Sequence, residues 1–243
     1  MTDAVLKIEG LTAGYQPGLP IIRDVGLNVF QGELVTIIGP NGAGKSTLIK
    51  AVAGLLHIEA GRVQLNGQAI TGIATHKMST ASIAYVPQSE NIFTSLTVDE
   101  NLRLGAQALS GETARQRVKE AYERFPDLTR FSGQKAGVLS GGQRQMLAVG
   151  RALLTHPKVI MLDEPSAGLS PMMVQEVFAQ LVELKTSGVA VLMVEQNARA
   201  AMRISDRTYV LAEGKNRLDG PSSRLLDDPE VSQIYLGRTG KKQ

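Results

Sequence analysis

Lys45-Ser46-Thr47 closes a glycine-spaced stretch, Gly39-Pro40-Asn41-Gly42-Ala43-Gly44. The pattern is G-x-x-x-x-G-K-[ST], whose chemistry is the holding of a polyphosphate. Glycines at 39, 42 and 44 let successive backbone N–H groups converge with no Cβ in the way. A helix beginning near Lys45 adds the positive end of its dipole. Lys45 is placed to reach the β- and γ-phosphates of a nucleotide, and the Ser46 hydroxyl to ligate Mg²⁺. A second reactive stretch ends in Asp163-Glu164. There Asp163 would hold Mg²⁺ through its water shell, while Glu164 would accept a proton from, or orient, an attacking water. A third is Leu139-Ser140-Gly141-Gly142-Gln143. Ser140 is a natural N-cap and the paired glycines expose backbone N–H groups to an anion; the same string also reads as a simple capped helix start.

These residues need particular elements to carry them. Leu34-Val35-Thr36-Ile37-Ile38 reads as the strand before the loop, and Leu48-Ile49-Lys50-Ala51-Val52-Ala53 as the helix after it. Val159-Ile160-Met161-Leu162 fits a strand buried on both faces of a parallel sheet, which puts the two acids at its C-terminal end, where α/β sheets bind ligands. Residues 189–194 form another buried strand, and Ile83-Ala84-Tyr85-Val86-Pro87 a short one that delivers Gln88. Segments 4–9 and 25–30, with 62–65 and 68–70 about the hairpin signal Asn66-Gly67, predict a small antiparallel sheet beside this core. Between 96 and 154 the pattern turns helical, with segments near 98–108, 113–125 and 142–154. Helices over 172–185 and 197–204 and a terminal hairpin, 207–211 with 216–218, complete the reading. The expected fold is α/β: a P-loop core with a mainly parallel sheet, an antiparallel β-subdomain and an inserted α-helical subdomain. We expect one domain over 1–243, with 1–88 and 155–243 as its nucleotide-binding core and 89–154 as the helical insertion.

Composition narrows the function classes. The 243 residues are 43% hydrophobic, enough for a substantial core. The 26 basic and 23 acidic side chains nearly balance at +3, which argues against nucleic acid as the main partner. No cysteine is present, so disulfides, thiolate metal sites and Cys nucleophiles are excluded. The first nine residues lack the apolar core of a signal peptide, and the longest apolar run, 189–194, is too short to cross a bilayer. The expectation is a soluble chain whose link to a membrane comes through a partner. Tyr15, one of ten aromatic residues, sits in turn chemistry at Gly14-Tyr15-Gln16-Pro17-Gly18. It reads equally as a packed loop aromatic or as a platform for a nucleobase.

With these motifs in one order, the sequence resembles the ATP-binding subunit of an ABC transporter over essentially its whole length. The resemblance rests on 39–47 (the Walker A loop), Gln88 (the Q-loop), Leu139-Ser140-Gly141-Gly142-Gln143 (the signature) and the Walker B strand ending in Asp163-Glu164. It implies a RecA-like core and two domains packed head to tail, each ATP lying between one Walker A loop and the other subunit's signature. It matches Tyr15 to the aromatic that stacks on adenine. It gives Gln88 contacts with Mg²⁺ and the water, and turns the following segment, about 89–104, toward a membrane subunit.

Two positions depart from the general pattern. Ser170 stands in Ser166-Ala167-Gly168-Leu169-Ser170-Pro171 where an acid is expected, and Gln196 in Val194-Glu195-Gln196-Asn197-Ala198 stands where a histidine usually meets the γ-phosphate. A glutamine can donate and accept hydrogen bonds but cannot become an imidazolium. These departures, with Tyr235-Leu236-Gly237, resemble one of the two ATPases of branched-chain amino acid importers. That implies ATP and Mg²⁺ as cofactors, a second and different ATPase, membrane permease subunits and, indirectly, an external solute-binding protein, at the cytoplasmic side of the inner membrane. Other readings are a urea or amide importer, a soluble ABC protein acting on nucleic acid or the ribosome, and a hydrolysis-impaired regulatory subunit motivated by Gln196.

Overall fold

A computed structural model describes residues 3–78 and 80–235. Leu236 and Gly237, the tail 238–243 and the first two residues lie outside the described residues. In chain order the strands are β1 (Leu6–Gly14), β2 (Ile22–Val29), β3 (Leu34–Ile38), β4 (His57–Leu65), β5 (Gln68–Ala69), β6 (Ile83–Val86), β7 (Val159–Asp163), β8 (Ala190–Val194), β9 (Arg207–Ala212) and β10 (Lys215–Pro221). The helices are α1 (Lys45–Val52), α2 (Val98–Gly105), α3 (Gly111–Arg124), α4 (Pro126–Thr129), α5 (Gly141–Leu153), α6 (Pro171–Thr186), α7 (Ala198–Ile204), α8 (Ser222–Leu225) and α9 (Pro229–Tyr235).

Two sheets form. One is antiparallel, in the order β2-β1-β4-β5, and its Asn66-Gly67 turn joins β4 to β5 as expected. The other has the order β10-β9-β3-β8-β7-β6; neighbours from β9 to β6 run parallel, and β10 adds an antiparallel edge. The expected fold class is what the chain adopts. The loop-bearing strand β3 and the acid-bearing strand β7 are not neighbours, because β8 lies between them.

Residue alternation explains how the central sheet is gripped on both faces. Successive strand side chains point to opposite faces. In β7, Val159 and Met161 pack with α1 and the antiparallel sheet, while Ile160 and Leu162 pack against the helices. In β8, Ala190, Leu192 and Val194 take the first side, and Val191 and Met193 the second. Every residue of β3, β7 and β8 is buried, as an all-parallel centre requires. The helical stretch between β6 and β7 shares its apolar cluster with that second face: Val98, Leu102, Leu147 and Phe125 sit in one core with Ile160 and Leu162.

Helix starts follow from capping chemistry. Thr97 and Ser140 each head a capping box, with Glu100 and Gln143 answering at the third helical position. Ser170 caps α6, its Oγ accepting from Met173 N at 3.4 Å, with Pro171 at the first position. The serine that departs from the usual acid is therefore chemically apt there, because serine and aspartate rank alike as N-caps.

Candidate nucleotide site

The carboxyl ends of four parallel strands converge. β3 leads into the phosphate loop, β6 into Gln88, β7 into Glu164 and β8 into Gln196. Side chains from three of these ends meet at one carboxylate. Gln88 Nε2 donates to Glu164 Oε2 at 2.7 Å and Gln196 Nε2 donates to Glu164 Oε1 at 3.2 Å. Glu164 is 8% exposed, and its backbone takes φ 50°, an uncommon value for a residue other than glycine. Its N–H is tied to Val194 O at 2.9 Å, which helps hold that turn.

The loop itself is fixed from outside. Ala43 O accepts from Gly214 N at 3.1 Å, and Gly39 N donates to the Tyr235 hydroxyl of α9 at 2.9 Å. Lys45, 5% exposed, folds back so that Nζ donates to Gly39 O at 2.9 Å and to Pro40 O at 3.2 Å. Burial pulls its ammonium below the usual lysine range, and the carboxylates of Glu164, Asp163 and Glu195 oppose that shift. Around these groups lies a cavity of about 350 Å³, lined by Ile21, Glu164, Gln196 and the loop from Asn41 to Thr47. A larger cleft near α3 and α5 holds none of the motif residues. Its Arg117, Glu120 and His156 are already paired with one another, at 2.9 Å and 3.0 Å about Glu120.

For a divalent ion the local chemistry fits Mg²⁺. Ser46 Oγ donates to Asp163 Oδ1 at 2.8 Å, which brings one hydroxyl and one carboxylate to the same point. The Tyr85 hydroxyl is buried beside Asp163; desolvation first, and then the neighbouring Asp163 carboxylate, hold the phenol well above its usual range. No group of three His, Cys, Asp or Glu side chains gathers among the described residues. Mg²⁺ sites in nucleotide enzymes have this character, with few protein ligands and the remainder from phosphates and water.

Other predicted residues stand apart. Ser140, Gly141, Gly142 and Gln143 do not line the cavity; Ser140 is exposed, and Gly142 is buried where a Cβ would lie 2.2 Å from Met173 Sδ. Its glycine therefore also serves the close approach of α5 to α6. Tyr15 is 56% exposed on the turn after β1 and is not among the lining residues. Gln88 spends its amide nitrogen on Glu164, so the expected metal contact would run through its oxygen. Two residues carry no sign of the site in the sequence: Ile21, the first of two adjacent isoleucines after a turn, and Tyr235, whose partner lies 196 positions away.

Gly39 has no room for a side chain. Its φ is 153°, and an added Cβ would sit 2.0 Å from Leu211 O, a backbone atom with nowhere to go. Gly39→Ala is expected to destabilise the fold by about 3 kcal/mol or more, read as a lowered Tm, with nucleotide binding lost at temperatures where the variant stays folded. A Tm unchanged from the parent would show that the loop can shift.

A phosphate loop, an Asp-Glu pair and two glutamines gathered at the ends of parallel strands define a P-loop nucleoside triphosphatase. The chain belongs to the ABC transporter family, whose model matches residues 22–167. Within that family it is an ATP-binding subunit and an ATPase. The "High-affinity branched-chain amino acid transport ATP-binding protein BraG" of Pseudomonas aeruginosa is 40% identical over 223 residues, covering 92% of this chain and 96% of that protein. The "Probable branched-chain amino acid transport ATP-binding protein LivF" of Archaeoglobus fulgidus is 39% identical over 234 residues, 96% of this chain and 99% of that one. Among solved structures, the ADP conformation of MJ1267, an ATP-binding cassette of an ABC transporter, superposes with a TM-score of 0.86 at 31% identity, covering 97% of this chain and 100% of that one. Cassettes of this family act as dimers with membrane permeases. No helix among the described residues is long and apolar enough to cross a membrane.

Proposed function

We propose that this chain hydrolyses ATP to power the import of branched-chain amino acids. It would work as one of two different ATPase subunits, held at the cytoplasmic side of the membrane by permease subunits that an external solute-binding protein supplies. Similarity along almost the whole chain to two ATPases named for branched-chain amino acid transport supports the solute class. The catalytic reading rests on a single observation, the Glu164 carboxylate held at both oxygens by the amides of Gln88 and Gln196.

The roles follow from that geometry. Two neutral donors orient the carboxylate without adding charge and leave lone pairs to accept a proton from water. As water attacks the γ-phosphorus, the bond to the β,γ-bridging oxygen breaks, and Glu164 takes the proton that the new P–O bond releases. Lys45 would exchange the carbonyls of Gly39 and Pro40 for phosphate oxygens, a charge-assisted and therefore stronger pairing. The loop N–H groups between Asn41 and Thr47, with Ser46 and Thr47 at the start of α1, would cradle the phosphates, while Gly39, bonded to Tyr235, and Pro40, which has no N–H, shape the entry to the loop. Ser46, Asp163 and the Gln88 oxygen would hold Mg²⁺, which when bound neutralises charge shared by the β- and γ-phosphates. Tyr15 would stack on the base. Ser140, Gly141, Gly142 and Gln143, which do not line this cavity, would cap the nucleotide bound by another subunit.

The experiment is to purify the full chain from membranes, identify the permeases and solute-binding protein that accompany it, and determine what small molecule the latter retains. Leucine, isoleucine or valine is expected. Urea or a short amide would move the chain to a related importer, and recovery with ribosomes or nucleic acid instead of permeases would overturn the transport reading.

A further inference from the structure

One buried carboxylate takes no part in the mechanism above. Glu195 follows β8 and is 1% exposed. Its Oε1 accepts from Ser166 N at 2.9 Å, and its Oε2 accepts from Ser166 Oγ at 2.9 Å and from Gln196 N at 3.1 Å. Its own N–H donates to Ile37 O at 3.1 Å, which anchors it to β3, the strand that leads into the phosphate loop. Burial pushes this carboxyl above the usual range, and the hydrogen bonds from Ser166 work against that shift. An apolar side chain would fill such a place at less desolvation cost. What it would lose is the tie between two segments that both end at the site.

Those segments are the ones that set Glu164. Ser166 lies two residues after Glu164, and Gln196 is the donor to Glu164 Oε1. The contacts close a ring: Glu164 to Gln196 through the side-chain amide, Gln196 to Glu195 through its backbone N–H, Glu195 to Ser166 through both oxygens, and Ser166 back to Glu164 along the chain. Within that ring the backbone of Glu164 keeps its positive φ, a state that persists only where surrounding contacts over-determine it. We propose that Glu195 is a positioning residue: by locking Ser166 to Gln196 it fixes the direction in which the Glu164 carboxylate is presented to water. The proposal rests on the reading of Glu164 as the proton acceptor.

Glu195→Gln tests it, because the amide has almost the same shape but only one acceptor oxygen. It can keep Ser166, whose hydroxyl can turn to accept, yet it loses the bond from Gln196 N. In the assembled transporter, the phosphate-release phase of this site should slow by about 10-fold, a part of the roughly 10²–10⁴-fold that a placed general base contributes, because Glu164 keeps its carboxylate and loses only its alignment. KM for ATP and Tm should stay within twofold and a few degrees of the parent. In a Gln196→Ala background the same substitution should change the rate less than twofold, since the route to Glu164 is already cut. An unchanged rate in a folded Glu195→Gln protein, an equal loss in both backgrounds, or a raised KM in place of the slowed phase would each overturn the proposal. If Glu195→Gln does not assemble, Ser166→Ala decides: it removes one bond to Oε2, and a loss of about threefold with KM unchanged supports the role, whereas no loss ends it. A Glu164→Gln control keeps the two claims apart. Normal hydrolysis there would remove the reading of Glu164, while normal hydrolysis in Glu195→Gln alone would remove only its positioning role.

Discussion

Replacing Glu164 with glutamine is expected to slow phosphate release at this site by about 10²–10³-fold, within the range attributed to a well-placed general base, while ATP remains bound. The size of the effect follows from the geometry. The Gln88 and Gln196 amides each aim an N–H at a carboxylate oxygen. A glutamine at 164 can satisfy one of those donors and presents its own NH₂ to the other, so it loses both the proton acceptor and one orienting bond. Phosphate loop, Lys45 and Asp163 are untouched, so affinity for ATP should hold or rise. Single-turnover phosphate release and filter retention of ATP measure the two halves. Weakened ATP binding with a normal hydrolytic step would assign Glu164 to binding instead of catalysis.

Lys45→Ala should act in the opposite way and remove binding. Its ammonium is the cation of the cavity wall, buried within reach of three carboxylates that influence it, Glu164, Asp163 and Glu195. Deleting it withdraws a charge-assisted bond to the phosphates, worth about 1.5–3 kcal/mol, and leaves those acids facing an anionic ligand without it. A fall of at least 10–100-fold in ATP affinity is expected, by calorimetric titration at temperatures where the variant stays folded, since Lys45→Ala also removes the bonds from Nζ to the loop carbonyls of Gly39 and Pro40. Unaltered affinity would mean that the backbone N–H groups alone hold the nucleotide.

Some of this was legible in the sequence for definite reasons. Strands β3, β7 and β8 stand out as short apolar runs because both their faces are covered, and their C-terminal ends carry the reactive residues because parallel sheets open there. The hairpin at Asn66-Gly67 is dictated by turn chemistry. Where the pattern is interrupted, reading fails. β1 extends to Gly14, beyond the expected 4–9, because register shifts after Ile8 and Leu11 break the simple alternation. Helices α8 and α9 are too short to show a period.

The sequence marks Gln88, Glu164 and Gln196 one by one and carries no sign that they touch. Gln196 was marked only by the absence of a histidine, yet it holds one oxygen of Glu164. Glu195 looks in sequence like an acid at a strand end, and only the fold brings Ser166 across to bury it. Tyr235 gives no local hint that its hydroxyl accepts from the first glycine of the phosphate loop; burial pushes its phenol up to about 12, and the bond from Gly39 works against that shift. Such long-range pairings depend on topology and leave no trace in spacing.

Under the proposed function the chain carries half of a hydrolytic site, with residues 39–47, Gln88, Asp163 and Glu164 on one side and the 140–143 segment of another subunit on the other. Ser140, Gly141, Gly142 and Gln143 are not among the residues that line this chain's own cavity. The direct measurement is ATP turnover per chain as a function of chain concentration, alone and with the second ATPase and permeases added. A shared site should give weak turnover that rises with concentration and increases sharply once the complex assembles. Full turnover by dilute monomers, independent of concentration and unaffected by partners, would contradict it.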